Sequence, residues 1–180
     1  MVTQRIKIVV FGKRHTGQGP LGRAWGRTQA DLPALQPVVI YERDVVEHNL
    51  IVEAWVLSLD EKFDYMRPSM YTKADGFVYT YEATELPANI SVALEYIDPY
   101  IREIRESLGK NSIPPQILVG TVIDPTLSLE NRDETFIEEW IVKWNINCKL
   151  EMNMTDKKQF HENVENIFKV MLELIDYGKK

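Results

Sequence analysis

Residues 12 to 19 read Gly-Lys-Arg-His-Thr-Gly-Gln-Gly, a glycine spacing that can hold an anion. In such a loop, successive backbone N–H groups and the start of a helix cradle phosphate oxygens. The usual pattern is G-x-x-x-x-G-K-[ST], where the lysine supplies charge and the hydroxyl residue binds magnesium. Gly12 and Gly17 keep the glycine positions, but Gln18 stands at the lysine and Gly19 at the hydroxyl. Pro20 removes one more donor. The candidate anion-binding residues are therefore Gly12, Lys13, Arg14, His15, Thr16, Gly17, Gln18 and Gly19. Lys13, Arg14 and His15 either offer substitute positive charge from another direction or are plain exposed loop residues.

Other chemistry is weaker. His15, His48 and His161 show no metal-ligand spacing with Cys148, so no metal site is expected. The acidic run from Glu130 to Glu139 fits a solvated helix start, where carboxylates meet the positive end of the helix dipole. Trp25, Trp55, Trp140 and Trp144 fit core or interface positions better than a stacking platform. No catalytic arrangement of nucleophile and base is evident.

Composition narrows the class. A chain of 180 residues with 44% hydrophobic and 27% charged residues suits a single folded domain over 1–180. A net charge of -6 argues against a general nucleic-acid binder, which would carry a basic face. One cysteine, Cys148, excludes a disulfide within the chain and fits a reducing compartment. There is no apolar signal core, no run of membrane-spanning length and no prenylatable cysteine in the terminal Tyr-Gly-Lys-Lys. The expectation is a cytoplasmic protein without a direct membrane anchor.

These residues need elements to position them. Ile6 to Phe11 is a nearly continuous apolar run, as in a strand buried on both faces. A short helix follows over Leu21 to Arg27, then an exposed loop from Thr28 to Pro37. Val38–Val46 and Leu50–Leu57 read as a hairpin around Glu-His-Asn. Ser58 to Lys73 reads as a loop plus an irregular helix interrupted at Arg67-Pro68, and Gly76–Tyr81 as a strand. Ile90, Leu94, Ile97, Ile101, Ile104 and Leu108 predict one long helix, kinked at Pro99 and stopped by Gly109. Further strands are expected before Asp124 and over Cys148–Met152, with helices over Phe136–Trp144 and Val164–Ile175. Alternating strands and helices predict an α/β architecture with a mostly parallel sheet covered on both faces.

The order of elements, and the segment Arg67-Pro-Ser-Met-Tyr-Thr-Lys-Ala-Asp-Gly-Phe-Val-Tyr-Thr-Tyr81, resemble the Ras/Rab-type small GTPases. That family carries a segment much like R-P-x-Y-Y-x-x-A-D-G-x-x-x-V-Y at its fourth strand. The resemblance implies a three-layer Ras-like P-loop fold with six strands, one of them an antiparallel edge strand. It also implies a GTP or GDP site with magnesium, and here the motifs depart from the family. The first-switch threonine aligns with Val38. W-D-T-A-G-Q becomes Trp55-Val56-Leu57-Ser58-Leu59-Asp60, so the magnesium aspartate is Val56, the γ-phosphate glycine Leu59 and the water-orienting glutamine Asp60. N-K-x-D becomes Thr121-Val122-Ile123-Asp124. Asp124 keeps the guanine-pairing carboxylate, although an aspartate before Pro125 also suits a structural turn. The last motif falls near Asn153 and Thr155.

Two functions follow from this pattern. In one, the chain is a pseudoGTPase, a regulatory protein-interaction module in signalling or trafficking with weak or absent GTP binding and no magnesium. Its partner would meet the switch-equivalent segments 28–38 and 58–73, where Tyr65, Met66, Met70 and Tyr71 are either candidate contacts or residues that pack the irregular helix onto the sheet. In the other, it is an unconventional switch that holds GTP or GDP through loop N–H groups and Asp124. Losses at several motifs that share one ligand should compound, which favours the first.

Overall fold

Strand β1 (Gln4–Gly12) lies inside the sheet, paired in parallel with β3 (Leu50–Leu57) on one side and β4 (Gly76–Glu82) on the other. Strands β5 (Gln116–Val122) and β6 (Cys148–Asn153) continue the parallel order beyond β4. Strand β2 (Val38–Val45) closes the opposite edge, antiparallel to β3, which makes the expected hairpin. The six-stranded order is β2-β3-β1-β4-β5-β6. This computed structural model describes residues 4–26, 36–46, 49–84, 87–109, 113–124 and 134–177.

Successive side chains of a strand point to opposite faces, so a strand covered on both sides must be apolar throughout. In β1, Val9 and Phe11 enter one core, while Ile6, Ile8 and Val10 enter the other. The first core is covered by α2 (Arg67–Tyr71), α3 (Pro87–Glu95), α4 (Asp98–Leu108) and α5 (Glu134–Trp144). The second is covered by α1 (Gln18–Trp25) and α6 (Lys157–Tyr177), with Trp25 packed edge-on against Phe168 at 4.6 Å. The result is an α/β protein with a mostly parallel sheet and helices on both faces.

Three details differ from the sequence expectation. The long helix is two helices: α3 ends at Glu95, and Pro99 sits in the first turn of α4, where its missing N–H costs nothing. Pro68 likewise opens α2 instead of interrupting it. The glycine-loop helix begins at Gln18, three residues before Leu21, and ends at Trp25.

Two contacts fix the outer layers. Asp98, 6% exposed, accepts both indole N–H groups of Trp140 and Trp144 on one oxygen at 2.7 Å each. Its other oxygen takes Lys143 Nζ at 2.5 Å, so α4 and α5 are braced together. On the opposite face, Arg43 of the edge strand grips Glu165 of α6 through both terminal nitrogens, at 3.0 and 2.7 Å. Its guanidinium also lies 4.3 Å from the Phe168 ring centre. A bidentate, stacked arginine is poorly replaced by lysine. Arg43→Ala should lower the unfolding free energy by about 1 kcal/mol in urea titration, and Arg43→Lys should recover less than half of it.

Candidate ligand site at the glycine loop

The loop between β1 and α1 has its shape set by contacts that leave no room for side chains. A Cβ added to Gly12 would lie 2.2 Å from both the carbonyl oxygen and the hydroxyl of Thr80. Gly17 caps α1 at φ 89°, a left-handed conformation, with the position of an added Cβ 2.8 Å from Thr121 Cγ2. Thr16 is buried, and its hydroxyl reaches Lys13 O at 2.7 Å and Thr80 Oγ1 at 2.8 Å. The loop is thereby stitched to the ends of β4 and β5. Thr16 belongs to the glycine-loop candidates, but nothing in the sequence marks its partner Thr80, 64 positions away on β4.

Polar groups of this loop remain open. The N–H groups of Arg14, His15 and Gly17 have no acceptor among the described residues, and the first α1 bond runs from Leu21 N–H to Gly17 O. Lys13, Arg14 and His15 are all exposed, and of the three only Arg14 lines the cleft described next. Gln18 keeps its carbonyl oxygen 3.3 Å from the Thr16 hydroxyl. Gly19 has space around it, since an added Cβ would meet only Arg23 Nη1 at 3.8 Å.

A cleft of about 390 Å³ opens beside the loop. Gly12, Arg14 and Gln18 form one wall, residues 57–60 the facing wall, and Tyr96 of the α3–α4 junction the end. Leu57, Ser58 and Tyr96 were missed as lining residues. Tyr96 lies off the apolar stripe of the helical pattern, and nothing local marks it as a cleft residue. Asp60 caps the short turn Glu61–Phe63, accepting from Lys62 N–H at 3.2 Å and pairing with Lys62 Nζ at 2.9 Å. These Lys62 contacts, with a smaller contribution from Arg14, hold the Asp60 carboxyl below the usual carboxylate range. Asp60 therefore brings a settled negative charge into the cleft.

Two positions beside the loop offer no side-chain oxygen to a cation. Val56 is buried and apolar, and an added Cβ on Gly22 would lie 2.5 Å from its Cγ2, so α1 presses directly on β3 there. Gly19 has no hydroxyl. Among the described residues no cluster of three or more His, Cys, Asp or Glu could hold a metal.

At the far end of the loop, Thr121 turns its hydroxyl back to Tyr81 O at 2.9 Å. Asp124, partly buried, lies three residues beyond Thr121, at the same sheet end as the glycine loop. Asn153 and Thr155 are committed to each other: Asn153 Oδ1 accepts from Thr155 N–H at 2.9 Å and Thr155 hydroxyl at 2.7 Å. Asn153 Nδ2 also donates to Gln159 Oε1 at 2.7 Å. They shape the entry to α6.

Of the first switch-equivalent segment, residues 28–35 lie outside the described residues; Pro37 O accepts Ser58 N–H at 3.0 Å. In the second, Tyr65 is 81% exposed and Met66 half-buried, but Met70 and Tyr71 are core residues. Their burial follows from α2 lying flat on the first core, held by buried Arg67 between Asp64 at 2.6 Å and Glu103 at 3.5 Å. Met70 and Tyr71 are thus removed from the candidate contacts. Among the described residues no helix is long and apolar enough to cross a membrane. Compared with protein-family models and with curated proteins, the chain matches none.

Proposed function

We propose that this chain is a protein of the Ras-like P-loop fold that has given up magnesium–polyphosphate chemistry and acts as a protein-interaction module, a pseudoGTPase. The observation that carries the reading is the mismatch at the glycine loop. Its glycine spacing and tight turn are kept, while Gln18, Gly19 and Val56 stand where the resemblance would put an ammonium, a hydroxyl and a carboxylate to offset a bound polyphosphate. Asp60 adds a negative charge facing the same space. A triphosphate there would meet little compensation for the water it leaves.

The strand order and the Arg67 to Tyr81 segment support the family assignment. A partner surface is supported by Ile40, 44% exposed on the edge strand, and by Tyr65. Trp55, paired with Ile40 across β2 and β3, is only half-buried and continues that apolar face.

Calorimetric titration with GTP, GDP and ATP, with and without magnesium, tests the reading. The expected result is no saturable heat below about 100 μM for any of them. The competing reading, a switch that binds guanine nucleotide by altered contacts, draws on the open loop N–H groups and on Asp124. A tight, magnesium-dependent, guanine-specific signal that Asp124→Ala abolishes would establish that reading and overturn ours.

A further inference from the structure

We propose that the cleft between the glycine loop and residues 57–60 binds a small organic monoanion, a single carboxylate carried on a flat apolar body. The inference rests on the reading above, that the site no longer serves a polyphosphate, and says what it serves instead. Three features of the cleft point this way.

The first is a cation, Arg14, which lines the cleft and is held by no hydrogen bond or ion pair among the described residues, its field reaching Asp60 on the facing wall. A guanidinium presents parallel donors that match one carboxylate. Gln18 reinforces it: its carbonyl is turned to Thr16, which leaves the amide Nε2 free to donate into the same space.

The second is charge exclusion. Asp60 stands on the facing wall, ionised and paired with Lys62 at 2.9 Å, so Arg14 is the one lining cation among the described residues, where a polyphosphate needs several. A second negative charge on the ligand would approach Asp60 and be repelled. The cleft thereby favours a ligand with a single negative group over one with several.

The third is an apolar end. Leu59 and the ring of Tyr96, 39% exposed, continue from the polar wall. The volume of about 390 Å³ falls within the range of small-molecule sites. A planar body of one or two rings covers Leu59 and Tyr96 while its carboxylate meets Arg14.

A matched series reads out the proposal: 1-naphthamide, 1-naphthoate and 1-naphthyl phosphate share a body and differ in charge. Titrations followed by amide chemical shifts should place 1-naphthoate at the amides of residues 12–19 and 57–60. It should bind about tenfold more tightly than the amide, which brings no charge to Arg14, and more tightly than the phosphate, whose second charge meets Asp60. Arg14→Gln should erase the preference of carboxylate over amide, and Asp60→Asn should raise the affinity for the phosphate. Both positions are exposed, so both variants should fold as the parent does. Equal binding of amide and carboxylate, an unchanged preference in Arg14→Gln, or shifts confined to other residues overturns the proposal. If that happens while GTP still fails to bind, the reading above stands alone. Tight binding of GTP with magnesium would instead overturn that reading, and this proposal with it.

Discussion

Asp98→Ala should cost this protein about 3 kcal/mol or more of unfolding free energy, measured by urea denaturation followed by tryptophan fluorescence and circular dichroism. The size of the effect follows from what the truncation strands. Two indole N–H groups, those of Trp140 and Trp144, share Asp98 Oδ1 at 2.7 Å in a buried setting. Leaving a buried donor unpaired costs about 1–3 kcal/mol each. Lys143 also loses its 2.5 Å contact, but it is half-exposed and rehydrates, so that loss is smaller. Asp98→Asn keeps a carbonyl for both indoles and gives up the charge, so it should cost only about 1 kcal/mol. The contrast between the two variants separates acceptor loss from charge loss. An Ala variant within about 1 kcal/mol of the parent would show that water or a shifted side chain satisfies the indoles, and the brace would lose its assigned weight.

That brace also marks where reading a sequence runs out. Asp98 reaches partners 42 to 46 positions away, and no local pattern distinguishes it from any aspartate ahead of a proline. The strands were legible because burial on two faces writes itself locally: Ile6 to Phe11 has to be apolar at nearly every position. The break between α3 and α4 was hidden because Ile90, Leu94, Ile97, Ile101 and Ile104 keep helical spacing across it and all are buried. The periodicity reports which face is buried, and the backbone is free to break beneath it. A similar limit left Met70 and Tyr71 open between core and surface, and the structure makes them core. A five-residue helix has too few turns to reveal its inner face, and the anchoring partner Glu103 comes from another element.

The site was legible to the same partial degree. Gly12 and Gly17 announce themselves, because a Cβ at either would strike a neighbour. The cleft does not, since its walls come from three separated stretches and Tyr96 joins them only through the fold. What the sequence carries is the loop's backbone requirement. What the fold adds is the charge pattern around it, with Arg14 on one side and Asp60 on the other.

The second large effect expected is a gain of function, and it isolates charge from shape. Gln18→Lys combined with Gly19→Ser should bind magnesium triphosphate at least about tenfold more tightly than the parent, since replacing a neutral contact by a charge-assisted one is worth roughly 1–2 kcal/mol. Both changes fit the local space. Gln18 gives up only a 3.3 Å contact with Thr16, and a Cβ at residue 19 meets nothing closer than 3.8 Å. Removing a glycine from the first turn of α1 should even add a few tenths of a kcal/mol to stability. Val56 stays packed against Gly22, so the metal ligand set remains incomplete. Most of the tighter binding should therefore survive chelation of magnesium by EDTA, which ties it to the new ammonium. Calorimetry on the folded double variant decides the matter. Unchanged affinity would mean that the cavity excludes polyphosphate by shape, and tighter binding that vanishes in EDTA would mean that a metal site persists despite Val56.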